Sequence, residues 1–300
     1  MAGYVLLTWP VMVVFFLGPL AVLLLASRPL SRREWLWFAA LVVWLGLWST
    51  STGGLLDQVI RAAGILAIGI GAPLLLVGTG TMISRALQAV GVMTAGTSAL
   101  CAFLDIRWRD VELAALRQGW AAYNGLIQQA GNQGAAVDPV RAQGLEAIAD
   151  ALRPMASIFP GLMALFAFAG LLLAARWARR IAPQPAIPPL APFRDFRFTD
   201  QLVWLVVAGL AGVLFPVPPE VHDPAASMLF FGSGLYALRG AAVLWTAVAR
   251  APRVVVAALV LGALFLLPFV LGGCVLLGLA DTWLDFRRRM KPPQPGGLDQ

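Results

Sequence analysis

Arg239 is the residue whose position most needs explaining. It lies near the middle of the apolar run Ala225–Ala249, about 16 Å of helix from Arg250. A charge at that depth costs at least ~2.5 kcal/mol and normally faces protein or water. Gly232 and Tyr236 precede it by seven and three positions and so share its helical face. A guanidinium beside a phenol and a glycine suits a small polar site for an anionic or carbonyl-bearing ligand. The competing reading is a structural clasp that holds a carboxylate or helix-end carbonyls. Asp281, with Asp285 one turn further on, is the natural partner for either role. Asp281 is about 9 Å of helix from Arg287, so Arg239 would reach about 7 Å along the membrane normal, within range of its long, snorkelling side chain.

Other chemistry is sparse. Glu220, His222 and Asp223 form the one carboxylate–imidazole cluster and contain the single histidine. It could bind a cation or sense pH, but a wet, proline-rich loop explains it as well. A structural metal site needs more ligands than two cysteines and one histidine provide. Cys101 and Cys274 sit in apolar runs and read as small buried residues. No G-x-S-x-G elbow, Walker loop or H-E-x-x-H occurs. The expectation is therefore a protein without a catalytic, metal or cofactor site.

The elements that position these residues must lie in a bilayer. Of 300 residues, 60% are hydrophobic and 12% charged, against about 25% charged in soluble domains. The net charge of +7 does not form a stripe that could follow nucleic acid. Its arginines sit in knots beside apolar runs, as the positive-inside rule places cytoplasmic loop charges.

On that rule the chain divides into four parts. Residues 1–104 make about four spans: Tyr4–Ala26 kinked at Gly18-Pro19, Trp35–Trp48, Ala62–Gly78 and Ala86–Leu104. Leu55–Arg61 is expected as a separate interfacial turn, and Gly91, Ala95 and Ala99 as a small-residue ridge for close helix packing. Residues 105–153 read as an extracytoplasmic helical hairpin. Its first arm carries the apolar stripe Leu113, Leu116, Trp120 and Ile127. Residues 154–286 are a second transmembrane half. In it the proline-rich cytoplasmic loop 181–200 reads as an extended linker. Residues 287–300 form a basic, then disordered tail.

Val254–Phe286 is too long for one crossing, and Pro268 and Gly272-Gly273 divide it into two short ones. The expected fold is an all-α transmembrane bundle of eight or nine spans. Its surroundings would be the lipid of a bacterial inner membrane, with the N-terminus outside and the C-terminus inside.

Several stretches carry a resemblance. They are Phe159-Pro160 leading a span into Arg176–Arg180, and Phe196-Arg197-Phe198 before Leu202-Val203-Trp204. Two more are Leu235-Tyr236-Ala237-Leu238-Arg239-Gly240 and Leu279–Arg287. The chain resembles the YybS-like family of bacterial multi-pass proteins, domain of unknown function 2232. The resemblance implies a likeness to substrate-binding components of vitamin-type importers. Two functions follow as expectations. One is a small-molecule binding or transport subunit, with Arg239, Tyr236, Gly232 and Asp281 lining a cavity. The other is a membrane scaffold whose hairpin docks other membrane subunits while the charges only tie helices together.

Overall fold

The computed structural model describes residues 2–29, 31–50, 53–132, 150, 154–248, 252, 256, 261–263 and 265–286. Within these, the side chains of 2–12, 126, 127, 129–132, 219 and 220 lie outside the description. The described chain is helical, without a strand. Its helices are α1 (Ala2–Ala26), α2 (Arg32–Thr50), α3 (Leu55–Val77), α4 (Met82–Phe103) and α5 (Trp108–Asn132). They continue as α6 (Phe159–Ile181), α7 (Val203–Leu214), α8 (Pro219–Val248) and α9 (Leu267–Leu284). Among the described residues, five helices are long and apolar enough to cross a membrane: α3, α4, α6, α8 and α9. Val13–Ala26 of α1 and Asp200–Leu214 are shorter apolar stretches.

Helix α6 is the hub. It packs against α1 on one side and α8 on the other, and α8 in turn carries α7 and α9. Its buried positions, among them Leu162, Phe166, Ala167, Phe168, Leu171 and Ala174, wrap most of its circumference. Such an all-round apolar helix belongs inside a bundle. Gly170 lets α1 come close, since an added Cβ would stand 2.7 Å from the Phe15 carbonyl oxygen.

Four expectations are corrected. Leu55–Arg61 is the first part of α3 rather than a separate turn, and the helix runs through to Val77 with a π-turn at Ala67–Gly71. Pro73 explains the π-turn: it cannot donate to a carbonyl one turn back, so the preceding turn widens. The carbonyls of Leu75 and Leu76 at the end of α3 accept from Arg85, at 3.0 and 3.2 Å.

The small ridge on α4 does not pack inward. Gly91, Ala95 and Ala99 are exposed, and the buried face is Ala86, Ala89, Val90, Met93, Thr97 and Cys101. Small residues do line the packed face of α4, but they are Ala86 and Ala89, both fully buried, while Leu100 and Phe103 stay exposed beside Ala99.

The proline-rich loop is packed, not a free extended linker. Ser27, just after α1, accepts from the Ala186 amide at 3.3 Å, and Arg179 donates to the Ile187 carbonyl at 2.6 Å. Ile187, Phe196 and Phe198 are buried, and two short 3₁₀ turns follow at Phe193–Asp195 and Asp200–Leu202. The loop is a strap. Prolines set its backbone, and its aromatic residues hold it against the helices.

In Val254–Phe286 the break comes at Leu266, just before Pro268, while Gly272 and Gly273 continue inside α9. Proline is tolerated in a first turn, where its missing N–H has no partner to lose. The second arm of the expected hairpin and the 287–300 tail lie outside the described residues, and the described spans do not add up to eight or nine.

Candidate functional site: a buried arginine clasp

Helices α8 and α9 pack against each other through two glycines. An added Cβ on Gly240 would strike the Cys274 carbonyl oxygen, and one on Gly278 would strike the Tyr236 carbonyl oxygen. Each glycine thus faces the backbone one turn before the other. Small residues at such crossings let membrane helices approach to van der Waals distance. Cys274 and Cys101 are both buried and unbridged, filling space as small apolar groups.

This contact brings Arg239 of α8 beside Asp281 of α9. Arg239 is 2% exposed and Asp281 fully buried. The Arg239 Nε donates to Asp281 Oδ2 at 3.0 Å, and its Nη2 to the Asp281 carbonyl at 3.3 Å. Its Nη1 donates to Oδ1 of Asp200 at 2.8 Å. Asp200 lies just before α7, and its side chain is 63% exposed. Below the guanidinium lies the Phe198 ring, 5.5 Å from Cζ, in cation–π contact. One arginine therefore joins α8, α9, the start of α7 and the strap.

Tyr236 supports the arrangement by packing. It is fully buried, with its ring edge-to-face on Phe198 at 5.2 Å. Phe198 meets Phe196, and Phe196 meets Phe168 of α6, so a row of aromatic rings links α6 to α8. The Tyr236 hydroxyl lies by the Thr282 side chain without a hydrogen bond of good geometry. At the outer edge Arg197 of the strap pairs with Asp285, which ends α9 at a left-handed φ of 43°.

The structure brings together three of the four expected site residues, Arg239, Tyr236 and Asp281. Gly232 it places elsewhere. A Cβ there would stand 2.7 Å from Val206 and 2.9 Å from Leu205 of α7, so the glycine is filled by a helix contact. Sequence reasoning missed Asp200 and the Gly240/Gly278 pair. Asp200 heads an apolar run as an ordinary boundary charge, whereas Gly240 and Gly278 could have been found as the glycines nearest Arg239 and Asp281.

His222 and Asp223 are neighbours, with Nδ1 3.3 Å from Oδ1, and both side chains are more than a third exposed. The Glu220 side chain lies outside the described residues. Among the described residues no group of three or more His, Cys, Asp or Glu side chains converges as a metal site would.

A cleft of mixed polar and apolar lining lies in the N-terminal half of the chain. About 430 Å³ in volume, it opens between the start of α3 and α5 and is lined by Asp57, Asp110, Leu113 and Arg117 among others. Helix α5 meets α1 and α3 through the buried Val111 and Ala115, and of its expected stripe only Leu116 packs against the core. Leu113 and Trp120 of that stripe are each 40% exposed. The packed face of α5 is offset from the stripe, with Trp108, Val111, Ala115 and Leu116 against the core while Leu113 and Trp120 stay exposed. Ile127 lies outside the described side chains.

A family profile described as "Predicted membrane protein (DUF2232)" matches residues 3–282. The chain belongs to this family of membrane proteins. The match spans both halves of the helical array and includes Arg239, Asp200 and Asp281. No curated protein matches the chain, and no solved structure does.

Proposed function

We propose that this family member is a non-enzymatic membrane scaffold or assembly subunit that docks a membrane partner through α5. The observation that carries the reading is Trp120, 40% exposed on a helix packed on the bundle through Val111, Ala115 and Leu116. Trp120 also stacks edge-to-face with Tyr123 at 5.3 Å, making a broad aromatic knob of the kind that anchors interfaces. The Arg239 clasp fits the same reading. Its guanidinium already meets two carboxylates, a carbonyl and a ring, and serves as a tie between helices. Placement in a bacterial inner membrane, eight or nine spans and an extracytoplasmic α5 are parts of this proposal, resting on arginine placement.

The test is Trp120→Asp in the full-length protein. The variant is expected to leave a larger membrane complex on native electrophoresis while its melting temperature in detergent stays within about 2 °C of the parent. Unchanged migration of parent and variant as the same small species would contradict the reading. A cysteine placed at Asn124, with Cys101 and Cys274 replaced by alanine, is expected to react with an impermeant reagent from outside intact cells. Labelling only after lysis would invert the topology.

A second reading keeps a small-molecule binding or transport subunit. What favours it is the α3–α5 cleft, where Arg117 and two aspartates line one mouth, rather than the Arg239 face. A ligand of that cleft would raise the melting temperature in proportion to log concentration, and Arg117→Gln would abolish the rise.

A further inference from the structure

A second cavity, of about 580 Å³, lies between α3 and α4 and is almost wholly apolar. Its walls include Ala62, Ile65 and Leu66 from α3 and Gly96, Ala99 and Phe103 from α4. Both helices are candidate membrane spans, so a groove open along their outer side faces lipid. Ile65 is 58% and Phe103 86% exposed, and these large side chains rim the groove without closing it. The groove exists because α4 turns small residues outward here: Ala99 is exposed, and Gly96 meets only the tip of Leu66. From Gln58 to Leu66 it runs about 12 Å along the helix.

One end is not apolar. Arg61 and Gln58 stand at the mouth. Arg61 donates to the Ser49 carbonyl at 3.3 Å, and its guanidinium lies 5.8 Å from the Trp48 ring centre. Trp48 stacks on Trp44 at 6.4 Å near the end of α2. Tryptophans in such a position mark the headgroup layer of a bilayer. A cation at headgroup depth above an apolar slot open to lipid matches one class of molecule in both its parts.

We propose that the α3–α4 groove binds one acyl chain of an anionic phospholipid, with the lipid phosphate at Arg61. The apolar walls hold the chain of either lipid alike, so the choice between headgroups is set by the charge at Arg61. One basic residue near a lipid surface corresponds to a preference of about fivefold for an anionic over a zwitterionic headgroup.

The experiment is native mass spectrometry of the full-length protein from neutral detergent. It is titrated with phosphatidylglycerol or phosphatidylcholine carrying the same acyl chains. The expected result is a first, single bound phosphatidylglycerol with about fivefold preference. Arg61→Gln is expected to equalise the two lipids, and Arg117→Gln, in the separate cleft, to leave the preference intact. Ala99→Phe fills the groove from an exposed position and is expected to weaken both lipids several-fold without lowering the melting temperature. Equal binding by the parent, a preference that survives Arg61→Gln, or no effect of Ala99→Phe would each overturn the proposal. If Arg61→Gln does not fold, the parent's lipid preference and the Ala99 variant decide the matter together.

Discussion

Gly278→Ala is expected to destabilise the protein by about 2–3 kcal/mol, while Gly272→Ala on the same helix changes stability by less than ~0.5 kcal/mol. The difference lies in what a new methyl group meets. At Gly278 it would strike the Tyr236 carbonyl oxygen and stand 2.9 Å from the Gly240 amide nitrogen, both parts of a helical backbone that cannot step aside. Relief requires α9 to move away from α8, which also stretches the Arg239–Asp281 contact. At Gly272 nothing lies within 4 Å, and alanine's better helix propensity offsets any small loss. Thermal unfolding in detergent, with both variants run beside the parent, reads the contrast. Equal melting of the two variants would mean that the α8–α9 contact does not hold the bundle together.

The second large effect belongs to the charges. Arg239→Gln is expected to cost about 3–5 kcal/mol, because it leaves the fully buried Asp281 without its cation. Asp281→Asn is expected to cost less, since Arg239 keeps Asp200. Asp200→Asn is expected to cost under ~1 kcal/mol, its side chain being 63% exposed and screened by water. The order Arg239, Asp281, Asp200 is thus a ranking by burial and by what each loss strands. Denaturant titration of the three variants checks it. A larger loss for Asp200 than for Asp281 would reverse the account of which pair matters.

The broad class was legible because hydropathy and arginine placement are local signals that tertiary packing does not override. Arg239 was legible for the same reason: a charge within an apolar run stands out against its neighbours. Its partner Asp281 followed from the limited choice of buried acids. Other features depended on facts that no single segment carries. The α5 stripe at Leu113 and Trp120 has ordinary helical periodicity, yet contact with α1 and α3 gives the packed face to Val111 and Ala115. The α4 ridge is ambiguous in the same way, since small residues can mark either a tight contact or an open groove. The proline density of the strap pointed to an extended linker, and only Phe196 and Phe198 hinted that it would be pinned down. Gly232 lies on the correct face by sequence but points at α7, which enters the chain in a separate segment.

Arg239 and Asp281 tie α8 to α9 as one unit, and a double-mutant cycle measures that coupling. Arg239→Met, Asp281→Leu and the double variant would be unfolded under one set of conditions. The double variant is expected to lose less than the two single losses together, by at least about 1 kcal/mol, because no stranded charge remains. Additivity within about 0.5 kcal/mol would contradict it, leaving the two residues adjacent but uncoupled.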